Sequence, residues 1–398
     1  MKSPFPQDWK EYTIGDCLRR VEHPVEVDSD ALYTQIGIRS HGKGFFYKEP
    51  VTGELLGSKA VYWVEPDCFI LNIVFAWEQA IGKTTQAEVG MIGSHRFPMY
   101  KPVNNLIDID YLVYYLLTKR GTDILEAASP GGAGRNRTLG QDRFMKSRIV
   151  LPLLDEQQKI AKILSTQDKA IELQGRKIEE LKRFKKGCLE KMFPRKGQKV
   201  PEKRFPGFTD DWEQRKLREL AIFNPKAELP DTFEYVDLES VVGTEMLSHR
   251  TESKQSAPSR AQRLAQTGDL FYQTVRPYQK NNYLFEKPDK YYVFSTGYAQ
   301  MRPVVDGRFL LCLVQNDRFV KVVLDNCTGT SYPAINSNDL AEIDVYSPNN
   351  PQEQKQIGDF FKDLDNLIAL HQRKLEEMKK QKKALMQLLL TGIVRVQS

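Results

Sequence analysis

EQQKIAKILSTQDKAIELQGRKIEELKRFKK, from Glu156 to Lys186, and EQKQIGDFFKDLDNLIALHQRKLEEMKKQKK, from Glu353 to Lys383, align without a gap, and more than a third of their positions are identical. Each follows a Pro-containing run, LPLLD in the first case and SPNNP in the second, and proline suits the boundary just before a helix. Seam residues recur at spacings of four and three in both stretches: Ile160, Leu164, Gln167, Ile171, Gln174, Ile178, Leu181, Lys185, Cys188 and Met192, then Ile357, Phe361, Leu364, Ile368, His371, Leu375, Met378, Lys382, Leu385 and Leu389. That is a heptad seam with polar interruptions, which fix register at some cost in stability. A single helix of this kind usually packs on its own domain, but two matching ones are natural partners. The expectation is an intramolecular antiparallel coiled coil acting as a rigid spacer, with about 38 residues spanning about 57 Å at 1.5 Å each.

The similarity extends outward from the helices. PQDWKEYTIGD near the N-terminus matches TDDWEQRKLREL, which pairs Trp9 with Trp212; YTQIGI from Tyr33 matches YVDLESV from Tyr235, and EPDCFIL from Glu65 matches TGDLFYQ from Thr267. FPMYKP from Phe97 matches YAQMRP from Tyr298, and DYLVYYLL from Asp110 parallels RFLLCLV from Arg308. The ends of the two copies are alike and their middles diverge, as expected of a common scaffold carrying different recognition loops. Between the copies, FPRKGQKVPEKRFPGF (Phe193 to Phe208) has the Pro, Gly and basic content of a linker. The expected organisation is α+β: two mixed α/β domains, 1–154 and 207–351, in pseudo-twofold arrangement, with spacer helices at 155–193 and 352–392 and a basic linker at 194–206.

A chain of 398 residues exceeds one ordinary domain, and 40% hydrophobic content with 20 Phe and 17 Tyr is enough for real cores. The balance of 58 basic against 52 acidic residues, a net +6, is a mild hint of a polyanionic partner. Cys17, Cys68, Cys188, Cys312 and Cys327 form no CxxC pair, as expected of a reduced cytoplasmic protein. No run of eighteen apolar residues occurs, and MKSPFPQDWKEY lacks a signal-peptide core, so a soluble chain without a membrane partner is expected.

Catalytic constellations are missing. GKT at Gly82 to Thr84 mimics the end of a phosphate loop, but Trp77 stands where the required glycine belongs. SPGGAGRN from Ser129 has no Lys-Ser/Thr after its glycines, and Asn224-Pro225-Lys226 fails the tetrapeptide used by amino-methyltransferases. Basic and amide residues interleaved with aromatics are present instead. In the first half they are Arg39, His41 and Lys43 in IRSHGKGFFYK, His95 and Arg96 in GSHRF, and Arg135, Asn136 and Arg137 in GRNRT. In the second they are Arg276, Tyr278, Lys280 and Asn281 in TVRPYQKNNY, Tyr298 in STGY, and Thr330 and Tyr332 in TGTSYP. Arg and Lys suit phosphates and guanine edges, and Asn and Gln suit adenine. Any one of these residues is ordinarily a solvated loop residue; clustered where the repeats diverge, the set points to DNA contact.

The chain resembles the specificity (S) subunit of type I restriction–modification systems. The resemblance is carried by the Trp212-to-Leu220 element, RPY at Arg276, STGY at Ser295, GTSYPAI at Gly329 and the EQxxI opening of each helix at Glu156 and Glu353. It covers nearly the whole chain and includes the duplication. It implies two target recognition domains, each binding one half of a split, asymmetric double-stranded DNA site, with the helices as ruler. It also implies two methyltransferase (M) subunits and two restriction (R) motor-nuclease subunits as partners. The S subunit then has no active site, and S-adenosylmethionine, ATP and magnesium belong to those partners. Spacing and subunit docking fall by the same resemblance to Ile160, Leu164, Ile171, Ile178, Leu181, Ile357, Phe361, Ile368, Leu375 and Leu385. One departure is Val74-Phe75-Ala76-Trp77 in the first half against Val275-Arg276-Pro277-Tyr278 in the second, so the two loops cannot contact DNA identically. The rivals are a nucleic-acid adaptor of another defence assembly and a non-catalytic coiled-coil scaffold whose ends bind proteins.

Overall fold

The computed structural model describes residues 5–57, 59–131, 137–287, 291–329 and 331–396. Its two long helices are Leu154–Lys191, 38 residues, and Pro351–Leu390, 40 residues. The chain forms two compact units, one of residues 1–174 and 374–398 and the other of residues 175–373. The chain therefore passes from one unit to the other midway along each long helix, and each unit contains part of both. All five cysteines are free. Among the described residues no helix is long and apolar enough to cross a membrane.

Each unit is built on the same frame. In the first, Lys10–Thr13 pairs antiparallel with Arg148–Leu151, and a four-stranded sheet runs in the order Leu18–Val21, Met99–Pro102, Phe69–Leu71, Ile81–Lys83. In the second, Glu213–Lys216 pairs with Asp344–Ser347, and the corresponding sheet is Ala221–Phe223, Tyr298–Pro303, Leu270–Gln273, Tyr283–Leu284. A helix pair covers each sheet: Ile109–Leu116 and Lys119–Ala128 in one unit, Gly307–Gln315 and Asp317–Asp325 in the other. Side chains of Asp108, Thr118, Asp306 and Asn316 cap these four helices, each supplying an acceptor to an otherwise orphaned N–H. The remaining strands differ. Among the described residues the first unit has, besides its terminal ribbon, three two-stranded ribbons, including the hairpin Ile36–Ile38/Phe45–Tyr47. The second has a further four-stranded sheet with a parallel pair, Thr232–Val236 beside Tyr292–Ser295, and the hairpin Val241–Val242/Glu245–Met246.

The long helices are part of these cores. The main core of the first unit joins Ile160, Ala161 and Leu164 to Leu389 and Leu390 and to the sheet and helix residues Phe69, Tyr100 and Leu112. That of the second joins Met192 and Phe193 to Ile357, Phe361 and Leu364, with Trp212 and Phe309. Within each unit the two helices run antiparallel, as the seam spacing predicts. In the first unit Lys382 Nζ donates to Asp168 Oδ1 at 2.5 Å and Gln167 Nε2 to the Met378 carbonyl at 3.4 Å; in the second, Lys185 Nζ donates to Asp365 Oδ1 at 2.5 Å. The two polar lysines of the seam thus answer the two aspartates at matching positions of the repeat, which specifies the antiparallel register. Tyr114 adds a hydroxyl donated to Asp168 Oδ2 at 2.7 Å.

The Glu-Gln pair that opens each helix ties it to its unit. Gln157 accepts from the Asp108 N–H at 3.0 Å and donates to the Leu106 and Pro152 carbonyls at 2.9 and 3.0 Å. Gln354 accepts from the Asp306 N–H at 3.2 Å and donates to the Pro348 carbonyl at 2.8 Å. Glu353, with a side chain only 1% exposed, takes a bidentate fork from Arg204 at 2.7 and 2.9 Å and the Trp212 indole N–H at 3.2 Å. Glu156 takes the same fork from Arg395 at 2.7 and 2.8 Å, and Arg395 also grips Asp8 and faces the Trp9 ring at 6.0 Å. The hydrogen bonds that Arg395 donates to Glu156 first and Asp8 second raise its pKa. The C-terminal segment therefore closes the first unit with the same chemistry by which the basic linker closes the second.

Glu353→Ala would leave Arg204 as an uncompensated charge in a buried site and strand the Trp212 N–H. It should cost about 3–5 kcal/mol of unfolding free energy, measurable by denaturant titration, whereas Glu353→Gln, which keeps an acceptor, should cost less. For the register pair, Asp168→Lys should lower the melting temperature, and Asp168→Lys with Lys382→Asp should restore most of the loss. Because these groups are partly exposed, the coupling should be about 0.2–1 kcal/mol; additive losses in the double mutant would show that the pair does not set register.

Candidate nucleic-acid interface

In both units the third strand of the four-stranded sheet leads within a few residues into a tight 3-10 turn. In the first, Phe69–Leu71 leads through Asn72, whose Oδ1 accepts from the Val74 N–H at 3.1 Å, to the turn Ala76–Glu78. In the second, Leu270–Gln273 leads to the turn Pro277–Gln279. The residue after each turn is left-handed, Gln79 at φ 59° and Lys280 at φ 55°. Each reaches to the corner between the helix pair: Gln79 Nε2 donates to the Leu117 carbonyl at 3.3 Å and to Thr122 Oγ1 at 2.6 Å, and Lys280 Nζ donates to the Gln315 carbonyl at 2.9 Å and pairs with Asp317. The Lys280 hydrogen bond holds the Asp317 carboxyl below the usual carboxylate range. The tie is accordingly present above that range and is lost only as pH falls through the depressed value.

Three further loops meet the first unit's turn. The hairpin tip donates from the His41 and Gly42 N–H groups to the Glu78 and Gln79 carbonyls at 2.8 and 3.0 Å, and Ser40 Oγ donates to Glu78 Oε2 at 2.9 Å. Gly42 is required there: its φ is +62°, and a Cβ would stand 2.6 Å from the Leu117 side chain. The Ile73 N–H donates to the Arg96 carbonyl at 3.0 Å, and the Leu139 N–H donates to the Ile73 carbonyl at 2.8 Å. Arg39, His41, Lys43, His95, Arg96 and Arg137 are thereby carried by loops tied to one turn. Arg39, His41, Lys43, His95 and Arg96 are exposed, and Arg137 is half-buried. Arg39 lies over the Phe46 ring at 5.3 Å and donates to the Phe45 carbonyl; Arg137 lies over the Trp77 ring at 5.3 Å.

The second unit repeats the arrangement. Thr274 donates from N–H and Oγ1 to the Gly297 carbonyl at 2.9 and 2.8 Å, and the Ile335 N–H donates to the Thr274 carbonyl at 3.0 Å. Arg276 has φ 54° and ψ 55°, its N–H donates to the Pro333 carbonyl at 2.7 Å, and its guanidinium lies 4.4 Å over the Tyr332 ring. A non-glycine residue in this region costs on the order of 1–3 kcal/mol and persists only where its surroundings hold it. Tyr332 is 63% exposed and Tyr278 50%.

Several sequence expectations change here. Tyr298 is a fully buried strand residue packed against Phe271 and Phe294, its hydroxyl on the Asp237 carbonyl at 3.3 Å, and burial raises its phenol pKa. An aromatic at this position completes a core and does not present its ring to a ligand. Lys280 spends its ammonium on the helix corner, and Asn281 Oδ1 accepts from the Gly243 N–H at 2.8 Å, so both brace the loop. Arg135, Asn136 and Thr330 lie outside the described residues. Of the helix residues assigned to spacing and subunit docking, Ile160, Leu164, Ile178, Leu181, Ile357, Phe361 and Ile368 are buried and Ile171, Leu375 and Leu385 half-buried. Buried side chains serve packing; the large apolar side chains that the helices expose are Ile163, Leu173, Phe184, Leu367 and Leu370. Trp77, which the alignment of VFAW with VRPY sets opposite Tyr278, was not among the residues singled out for DNA contact, and neither was Gln79.

Comparison with known proteins agrees with this duplicated layout. The family model described as the type I restriction modification DNA specificity domain matches twice, over residues 33–183 and 209–380. The MjaVIII type I restriction enzyme specificity subunit of Methanocaldococcus jannaschii is 24% identical over 425 residues, covering 99% of this chain and 94% of the relative. The crystal structure of a type I S subunit from M. genitalium covers 98% of this chain and 99% of its own at 14% identity, with a TM-score of 0.57. A chain solved in work on complex assembly and conformational transition of the type I R-M system gives 0.61 at 16% identity, covering 98% and 99%. With both halves matched by the same domain model and both units built on one frame, the chain belongs to the type I restriction–modification DNA specificity family.

Proposed function

We propose that this chain recognises a bipartite, asymmetric double-stranded DNA site, one half through each unit, and carries no active site of its own. The observation that supports this most is the same constellation of strand, 3-10 turn and tied loops occurring in each unit with different side chains at its rim. A shared frame suits a shared task, and different rims suit different half-sites. The long helices then act as the ruler that sets the number of base pairs between the halves. Two methyltransferase subunits and two restriction subunits dock on the chain, and the exposed Ile163, Leu173, Phe184, Leu367 and Leu370 are the apolar side chains the helices offer them. S-adenosylmethionine, ATP and magnesium are assigned to those subunits, and the complex works in the cytoplasm.

A phosphate-contacting protein loses affinity linearly in log salt. Affinity for the cognate duplex should therefore fall steeply between low and physiological salt, while a scaffold that binds only proteins would show no such DNA affinity. Arg276→Ala should weaken specific binding by about 1–3 kcal/mol with little effect on random DNA; equal losses on both would assign Arg276 to a phosphate. Inserting one heptad into both helices should change the permitted spacer, read by mapping methylated sites, and an unchanged spacer would rule out the ruler.

A further inference from the structure

The two interfaces differ in one respect that their common frame makes legible. In each unit the 3-10 turn and the loop after the helix pair meet edge to edge, through Ile73 and Leu139 in the first and Thr274 and Ile335 in the second. One arginine faces one aromatic ring across each junction, and the sense is reversed. In the second unit the turn supplies the cation, Arg276, and the loop supplies the ring, Tyr332. In the first unit the turn supplies the ring, Trp77, and the loop supplies the cation, Arg137. At the position of Arg276 the first unit has Phe75, with φ −125° and no left-handed strain.

Resting on the reading of the chain as a bipartite DNA-recognition subunit, we propose that Arg137 is the functional counterpart of Arg276. Each is the guanine-reading residue of its unit, held on the ring opposite. Three features support this. Among the described residues neither guanidinium has a carboxylate partner, whereas Arg204, Arg302, Arg308 and Arg395 all do. A ring under a guanidinium attracts its charge and fixes its plane but uses none of its in-plane N–H donors. Those donors match the O6 and N7 acceptors of guanine in the major groove, a pairing that a solvated lysine ammonium makes only as a point charge. The left-handed backbone at Arg276, locked by its N–H on Pro333, holds that side chain to the Tyr332 ring. In the first unit, Trp77 is itself pinned by its indole N–H on the Val74 carbonyl at 3.0 Å.

The test uses the full chain assembled with its methyltransferase subunits, methylated-site mapping, and binding to duplexes carrying single base changes. Arg276→Lys and Arg137→Lys keep the charge and remove the fork. Each should relax one guanine position, in opposite halves of the site, with discrimination falling on the order of tenfold to a hundredfold and affinity for random DNA unchanged. Trp77→Leu, which removes the ring and leaves the arginine, should relax the same position as Arg137→Lys, to a smaller extent. The proposal fails if the Arg137 variants weaken specific and random binding equally, if both arginines act on the same half, or if the relaxed position is not a guanine. A wild-type map without a two-part site would overturn the underlying function. A two-part map untouched by Arg137→Lys and Arg137→Ala would overturn this inference alone.

Discussion

The start of each long helix carries a buried Glu-Gln pair on which both units depend. The glutamine spans the orphaned end of the helix: it accepts an N–H from the cap of the neighbouring helix pair and donates to the proline carbonyl of its own lead-in. The glutamate presents a carboxylate that burial would penalise heavily if it were alone, and in each unit an arginine from a distant segment answers it with a two-pronged fork. These contacts set how each helix lies on its own sheet. A short apolar contact would allow sliding; a fork between two buried or half-buried charges does not.

The duplication divides labour within each unit. The terminal ribbon, the four-stranded sheet and the capped helix pair recur with the same strand order, while the outer ribbons and hairpins differ. The 3-10 turn lies at the junction of the two classes, anchored behind by Gln79 or Lys280 on the helix corner, with Tyr278 and Gln279 exposed in the second unit and Trp77 and Glu78 half-buried in the first. Because the anchor holds the turn from the side the two units share, the outer side can change residues without disturbing the core. The exchange of cation and ring between Arg276–Tyr332 and Trp77–Arg137 illustrates that freedom.

Much of this was legible in sequence because it follows from periodicity and repetition. The seam spacing carries the long helices to within a few residues of their ends, and the polar Lys185 and Lys382 mark the register pairs that the structure displays. Loop residues were harder to rank. Tyr298, in the same motif as exposed-looking Ser and Gly, sits at a strand position whose side chain faces the core, and an aromatic there has no separate sequence signature. Lys280 reads as a phosphate ligand until Asp317, 37 residues away, is seen to hold it. Arg395 offered no signal, since its role depends on Glu156 and Asp8 lying beside it in space.

The sequence by itself determined the duplicated organisation, the two long helices and their antiparallel match, because heptad spacing and internal identity are local or repetitive and need no knowledge of distant contacts. Only the tertiary structure decided which charged residues are spent inside the molecule and which remain at its rim. That distinction turns on partners tens to hundreds of residues apart in the chain. The desolvation of a charge and the reach of a guanidinium depend on three-dimensional neighbours and not on the residues either side.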